Sequence, residues 1–398
     1  MPDHPPLYIG LMSGTSMDGI DAALVDFAKP DNPRLIDCIS LPYDADLQAQ
    51  LHRLCAQSSN EIELMGYADQ AVAQAFSHTI TQLLQRNQLG TSDIVAVGSH
   101  GQTIRHAPSA LLPFTLQIGD PHTLAALSGI DVIADFRRKD MALGGQGAPL
   151  VPAFHASVFC DTQQQQNRAV VNIGGIANIT YLPSGAESQA QILGFDTGPG
   201  NRLMDAWITR HLGKPFDENG QWAKTGSVDS DLLAQLMHHD YLHQPFPKST
   251  GREVFHLDWL DAQLREVQNL TQNAAIAPEN VQRTLLEFTV QSIALHLQQL
   301  GKTQAHNTTY QGVEEVYVCG GGALNGLLMQ RLSEIGQQQK VSPYRVFSTQ
   351  ALGVDPNVVE AMAFAWLAYA FKQRIPGNVP SVTGASRPAI LGAWFPSQ

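Results

Sequence analysis

Between two apolar segments, residues 7–12 and 20–27, the chain carries Gly10-Leu-Met-Ser-Gly-Thr-Ser-Met-Asp-Gly-Ile-Asp21. Such a stretch is expected at the tip of a β-hairpin. Gly14 and Gly19 let successive backbone N–H groups turn toward one anion. Ser13, Thr15 and Ser16 add hydroxyl donors, and Asp18 and Asp21 are placed to steer a hydrated cation. That set of groups suits a polyphosphate held with Mg²⁺. The Gly14-x4-Gly19 spacing mimics half of a Walker A loop, but Ile20-Asp21 stands where Lys-Ser/Thr is required, so a P-loop NTPase is not expected. The same residues also suit a flexible hairpin tip.

Two further glycine-bearing turns follow strand-like segments, at Gly174-Gly175 and at Gly320-Gly321-Gly322, the latter running on to Asn325. One such turn is weak evidence, since strand-to-helix turns use glycine for packing. Three together match a nucleotide in a cleft between two domains: two hairpins for the phosphates and a strand-to-helix turn that the base and ribose approach. Asp196, in Phe195-Asp-Thr-Gly-Pro-Gly-Asn201, closes an apolar strand at the end where open α/β sheets place ligands. A carboxylate there can take a proton from an attacking nucleophile; it can equally cap the next helix.

Two polar patches read as substrate surfaces or as ordinary exposed loops. They are Ser99-His-Gly-Gln-Thr-Ile-Arg-His106, expected to begin at a strand end, and Asp135-Phe-Arg-Arg-Lys-Asp140. Arginine grips a carboxylate bidentately, so a ligand with hydroxyls and a carboxylate suits them. His239 and His243 have i, i+4 spacing, but no third metal ligand is evident and a solvated helix end is favoured.

The elements positioning these groups alternate between strand and helix, which predicts an α/β architecture. Strands are expected at 35–41, 94–98, 132–134, 169–182 (a hairpin), 192–196 and 316–319, and helices at 121–127, 149–159, 202–212, 229–239, 257–269, 278–300 and 357–371. Asn60 with Glu63 predicts a capping box opening a helix to Leu84. The hairpin at 169–182 repeats the plan of the first, which predicts two related halves: residues 1–150 with the first phosphate hairpin and part of the substrate surface, and 151–398 with the second hairpin, Asp196 and the third turn. The Gln163–Gln166 run and the 305–312 segment read as polar loops.

With 398 residues and 43% hydrophobic content, the chain can form two cores. Its net charge of −12, without a basic block, argues against nucleic acid or an anionic membrane as partner. Cys38, Cys55, Cys160 and Cys319 are scattered, so neither zinc nor a disulfide framework is indicated. No apolar run is long enough to span a bilayer and the start lacks signal-peptide features, so a cytoplasmic protein is expected.

Taken in order, these motifs, together with Gly144-Gly-Gln-Gly-Ala-Pro-Leu-Val151, resemble those of the anhydro-N-acetylmuramic acid kinases, in the actin/sugar kinase/heat-shock-protein ATPase superfamily. The resemblance implies two ribonuclease-H-like domains with a nucleotide cleft between them. It implies an ATP- and Mg²⁺-dependent enzyme that hydrolytically opens 1,6-anhydro-N-acetylmuramic acid and phosphorylates O6 during peptidoglycan recycling, with a homodimer compatible by analogy. Asp196 would activate the water that attacks C1, residues 14–21 would cradle the phosphates with Asp18 reaching the metal through water, and Glu360 would face the nucleotide or Mg²⁺. His100, Thr103 and Arg137 would contact the sugar.

Overall fold

The computed structural model describes residues 5–14, 17, 19–56, 59–161, 166–184, 192–246, 248–251, 254–272, 274–300, 304–305, 308–309, 312–340 and 342–398. The chain forms two compact units, one of Met1–Val158 with Val358–Gln398 and the other of Phe159–Asn357.

The first unit is built on strands β1 (Leu7–Ser13), β2 (Gly19–Asp26), β3 (Arg34–Pro42), β4 (Ile94–Ala107), β5 (Phe114–Ile118) and β6 (Val132–Ala134). Its main path runs β3-β2-β1-β4-β6. The first three strands are antiparallel neighbours, while β4 runs parallel to β1 and β6 parallel to β4. The strand Ala393–Phe395 closes the β6 edge. The second unit contains β7 (Arg168–Ile173), β8 (Ile176–Leu182), β9 (Leu193–Pro199), a small ribbon of β10 (Gln304–Ala305) and β11 (Thr308–Thr309), then β12 (Glu315–Cys319) and β13 (Arg345–Ser348). Its sheet runs β9-β8-β7-β12-β13, with the same antiparallel and parallel pattern. The first unit thus places its third, second, first, fourth and sixth strands side by side, and the second unit, its β10–β11 ribbon set aside, its third, second, first, fourth and fifth, both on the ribonuclease-H-like plan.

Packing explains the apolar runs at residues 7–12 of β1 and 94–98 of β4. In the first unit the helix Glu61–Asn87 packs near β2, β3 and β5, and the helix Val359–Lys372 lies on β1 and β4. Sheets covered on both faces need apolar residues at successive positions, as in Leu7–Leu11 of β1. The alanines of Val359–Lys372 allow a close approach that glycine completes on the strands. A Cβ at Gly10 would fall 1.9 Å from the Ala361 carbonyl oxygen, and one at Gly98 would fall 2.0 Å from that of Phe364. In the second unit the helix Pro278–Leu300, with Pro at its first position, buries Leu285, Leu286, Phe288 and Ile293 in the core.

The structure departs from the sequence reading at several elements. Asn60 precedes its helix in the left-handed region and forms no cap; its side-chain amide instead donates to Glu63 Oε2 at 3.1 Å, so the capping box is absent. β4 does not stop at Gly98. It continues to Ala107 through Gly101 (φ 73°) and pairs with β5, so the 99–106 patch lies on a strand. His239 caps the four-residue helix Asp240–His243, its Nδ1 accepting from the Tyr241 amide at 3.1 Å, so it precedes that helix rather than sharing a helix face with His243.

The close strand–helix contact predicts that Gly98→Ala lowers stability by about 1–3 kcal/mol through overpacking. Gly66→Ala, inside the helix Glu61–Asn87 with nothing within 4 Å of the new methyl, should raise it by about 0.5–1 kcal/mol. Urea unfolding of the two variants measures both.

Candidate active site

Asp196 lies in the middle of β9, paired with Asn178 of β8, which in turn pairs with Asn172 of β7. The register puts a carboxylate and two amides in one row across the sheet. The next helix, Arg202–Leu212, has Asn201 at its cap position, so Asp196 does not cap it. Its carboxylate turns to residues 248–250. Oδ2 accepts from the Ser249 hydroxyl and from the Thr250 amide, each at 2.9 Å. The Asp196 amide donates to the Lys248 carbonyl at 3.0 Å, and the Tyr241 hydroxyl donates to the Asp196 carbonyl at 2.8 Å. Burial raises the Asp196 pKa, and the two donors on Oδ2 oppose that rise. A carboxylate made more basic, with one oxygen tied, is suited to accept a proton. Lys248 stacks over the Tyr241 ring at 4.6 Å and donates to the Tyr241 and Leu242 carbonyls at 2.7 and 3.0 Å; burial lowers its pKa to about 8.

The second glycine hairpin abuts the same strand. Gly174 O accepts from the Asn201 amide at 2.8 Å, and Gly175 O accepts from the Gly200 and Arg202 amides at 2.9 and 3.3 Å. A methyl group on each glycine separates two roles. At Gly320 a Cβ would lie 2.4 Å from Asn172 Oδ1, and at Gly322 2.4 Å from Ile173 Cγ2, so these two let the third turn pack on the hairpin. At Gly174 and Gly175 the nearest atoms would be 3.7 and 3.8 Å away, ordinary contact. Internal packing does not demand these two glycines, and their bare backbone fits a phosphate. Gly321 lies beside the Asn201 amide, whose Nδ2 donates to Ile173 O at 3.1 Å. The Asn325 side chain caps the helix Gly326–Gln338 by accepting from the Leu328 amide at 3.2 Å.

In the first unit, Thr15, Ser16 and Asp18 lie outside the described residues. Gly14 O accepts from Gln102 Nε2 at 3.2 Å and from the Met17 amide at 3.2 Å. Met17 and Ile20 turn their side chains into the core. A Cβ at Gly19 would meet the Leu41 carbonyl oxygen at 2.4 Å, so this glycine serves the sheet. Asp21 accepts from the Ser40 hydroxyl across β2 and β3, and burial raises its pKa. Among the described residues no three His, Cys, Asp or Glu side chains converge as a metal site.

His100, Arg137 and Glu360 come together in this unit. His100 Nε2 accepts from Arg137 Nε and Nη2 at 3.2 and 2.8 Å, which assigns the ring proton to Nδ1. Burial and the Arg137 charge hold the imidazole pKa well below its usual range, so the ring is neutral. Arg137 also donates to the Gly147 carbonyl at 2.8 Å. Burial lowers its pKa to about 10, opposed by the charges of Glu360 and Asp140. Phe364, one helical turn beyond Glu360, packs on His100 with ring centres 4.7 Å apart. Thr103 accepts from Gln117 Nε2 at 3.1 Å across β4 and β5. Two anchoring roles went unread in the sequence: that of Asp140, named there only as the end of the 135–140 patch, and that of residues 248–250 in the second unit. Asp140, fully buried, accepts from the Gly147 amide (2.8 Å), Asn378 Nδ2 (2.7 Å) and Thr383 Oγ1 (2.8 Å), tying the 144–147 loop to the C-terminal segment. Residues 248–250 hold Asp196. The Lys-Ser-Thr-Gly run at 248–251 was the available signal for the latter.

The chain matches the family model of anhydro-N-acetylmuramic acid kinase over residues 6–397. It is 50% identical over 391 residues to the anhydro-N-acetylmuramic acid kinase of Shewanella frigidimarina, covering 98% of each chain. It is also 50% identical over 388 residues to that of Shewanella oneidensis, again covering 98% of each. Among solved structures, a ROK hexokinase from Thermus thermophilus aligns with 91% of this chain and 99% of its own at 14% identity, with a TM-score of 0.36.

Asp205 lies one turn beyond Asn201 and beside the Asp217 carboxylate; burial first, and then Asp217, raise its pKa to about 7. A carboxyl raised above its unfolded value of 3.8 destabilises the fold where it must ionise. Asp205→Asn should therefore stabilise the protein above pH 7, with the gain shrinking as pH falls and gone near pH 4. Urea titrations at pH 8 and pH 4 check the sign.

Proposed function

The chain belongs to the anhydro-N-acetylmuramic acid kinase family, and we propose that Asp196 is the base with which it opens the 1,6-anhydro bridge of anhydro-N-acetylmuramic acid by water. The product is N-acetylmuramic acid 6-phosphate, and ADP is released. The observation that carries this reading is the Asp196 carboxylate itself: made more basic by burial, with Oδ2 held by two donors and the strand anchored on both sides. Asp196 takes a proton from water as the water oxygen bonds to C1. The C1–O6 bond breaks, and O6 becomes the acceptor of the phosphoryl group. General base catalysis of this kind is worth about 10²–10⁴ in rate.

ATP would supply the γ-phosphoryl group, and Mg²⁺, when bound, would neutralise charge on the phosphates. The bare amides of Gly174 and Gly175 and the 14–21 segment would hold the phosphates, Asp18 would reach the metal through water, and the turn at Gly320–Gly322 would lie against the nucleoside. His100, as a neutral Nδ1–H tautomer, and Arg137 offer the sugar a fixed donor set. Thr103 adds a hydroxyl on the same strand as His100. Glu360 shares the surroundings of Arg137, which supports a role close to the sugar's phosphoryl acceptor as well as toward the nucleotide. No described helix is long and apolar enough to cross a membrane. The proposed place of reaction is the cytoplasm, where ATP and recycled wall sugar meet.

Two outcomes follow. Asp196→Asn should lower kcat by about 10³ or more, as expected when a general base is lost, while nucleotide affinity by calorimetry stays within about threefold. Wild-type turnover in that variant removes the base assignment. Gly175→Ala should leave the thermal midpoint unchanged within about 2 °C, because its Cβ meets nothing closer than ordinary contact, yet raise KM for ATP by about tenfold or more.

A further inference from the structure

Residues 248–250 form neither helix nor strand, yet they place two donors on Asp196 Oδ2. Ser249 is exposed, so water competes for its hydroxyl. Something other than secondary structure must hold this strap against the edge strand β9. Upstream, Phe246 stacks on Phe195 with ring centres 4.6 Å apart. Within the strap, hydrogen bonds among the described residues run to Asp196 itself and, through the Lys248 ammonium, to the Tyr241 and Leu242 carbonyls. That ammonium makes no ion pair among the described residues, and burial lowers its pKa to about 8. A half-buried cation offset only by carbonyls and a ring is costly, and an uncharged side chain of the same length would avoid the cost. What the charge secures is a closed ring of contacts. The Asp196 amide bonds the Lys248 carbonyl, the Lys248 ammonium bonds the Tyr241 carbonyl, and the Tyr241 hydroxyl bonds the Asp196 carbonyl.

We infer that Lys248 is a positioning residue for the reaction: its ammonium staples the strap to the helix Asp240–His243 and so keeps the Ser249 hydroxyl and the Thr250 amide on the Asp196 carboxylate. The inference rests on Asp196 being the base. Donors to an ionised carboxylate favour that form, and these two oppose the rise in pKa that burial causes. A strap released from the helix weakens both donors, so the Asp196 pKa rises further and less of the base is ionised at neutral pH. The carboxylate also loses its fixed orientation toward water. Phe246 on Phe195 keeps the chain attached, which confines the change to the strap. Three other titratable groups surround it. Burial and Asp196 push the Tyr241 pKa up, so that its hydroxyl stays protonated. His296, on the helix Pro278–Leu300, packs on Phe195 with ring centres 5.7 Å apart, and burial, then the Lys248 charge, lower its pKa to about 4. His243 pairs its Nε2 with the Met237 carbonyl at 3.0 Å.

Full-length protein carrying Lys248→Met, Lys248→Arg or Asp196→Asn separates the two levels of this reading; Lys248→Gln replaces the methionine variant if methionine disturbs the melting curve. Lys248→Met should lower kcat about 10- to 100-fold, change KM for ATP less than about threefold, and move the acid limb of the kcat–pH profile to higher pH. The same comparison in a His296→Gln background should keep that shift, because the limb belongs to the carboxylate. Lys248→Arg, which retains the charge and can reach both carbonyls, should recover kcat to within about threefold of wild type. Wild-type kcat in Lys248→Met, with Asp196→Asn inactive, overturns the Lys248 role alone. So does a slowed Lys248→Met whose acid limb stays in place, or whose shift vanishes in the His296→Gln background. Equal impairment of the methionine and arginine variants does the same, because the loss then follows side-chain shape and not charge. Turnover surviving in Asp196→Asn overturns the base reading and the Lys248 role together.

Discussion

Three backbone hydrogen bonds at the tip of the β7–β8 hairpin govern the second unit. Gly174 and Gly175 lend their carbonyls to the amides of Gly200, Asn201 and Arg202, so the end of β9 and the start of the next helix are welded to the hairpin. The approach is close enough that a Cβ on Gly200 would fall 2.2 Å from Gly174 O. With their carbonyls spent on the chain, the same two glycines keep their open side for a ligand. Asp196 lies a few residues back along β9, so the backbone proposed to face the phosphates and the proposed base share one frame. Rigidity matters because a base displaced by an ångström loses most of its catalytic value.

The first unit repeats the strand order but secures its polar residues differently. Here the constraint is a buried charge that must be paired. Arg137 is committed to the His100 ring and the Gly147 carbonyl, with Glu360 and Asp140 nearby in charge. Asp140 is itself satisfied by three donors, one from the loop that carries Gly147 and two from the C-terminal segment. A chain of paired groups therefore runs from residues 378–383 through Asp140 and Gly147 to Arg137 and His100. Glycine at 98 and 10 lets the Val359–Lys372 helix settle deeply enough to bring Glu360 and Phe364 to that cluster.

Much of this was legible in the chain alone, and the physics of each element says why. The helices Arg202–Leu212 and Pro278–Leu300 declare themselves through apolar spacing and a proline at the first position, and both have the expected bounds. The repeated hairpin announced two units of one plan, and the strand order in each sheet bears out the fold class. What stayed hidden depends on partners far along the chain. Asp140 meets Thr383 across 243 positions and Asp196 meets Thr250 across 54, distances over which no local pattern carries information. Asn60 misled for the opposite reason: its residue type suits a cap, but its left-handed backbone turns the side chain away from the amides it would cap. The extension of β4 through Gly101 was likewise invisible, because glycine and histidine in a polar run read as a loop until β5 pairs with them.

The central claim is that bridge opening is hydrolytic and coupled to phosphoryl transfer, with water entering at C1 under the control of Asp196. Mass analysis of the sugar product formed in ¹⁸O water tests it directly. The account predicts one label on the C1 hydroxyl, none in the phosphate, and phosphate on O6. A product without label at C1, or label in released inorganic phosphate at the expense of sugar phosphate, would contradict it.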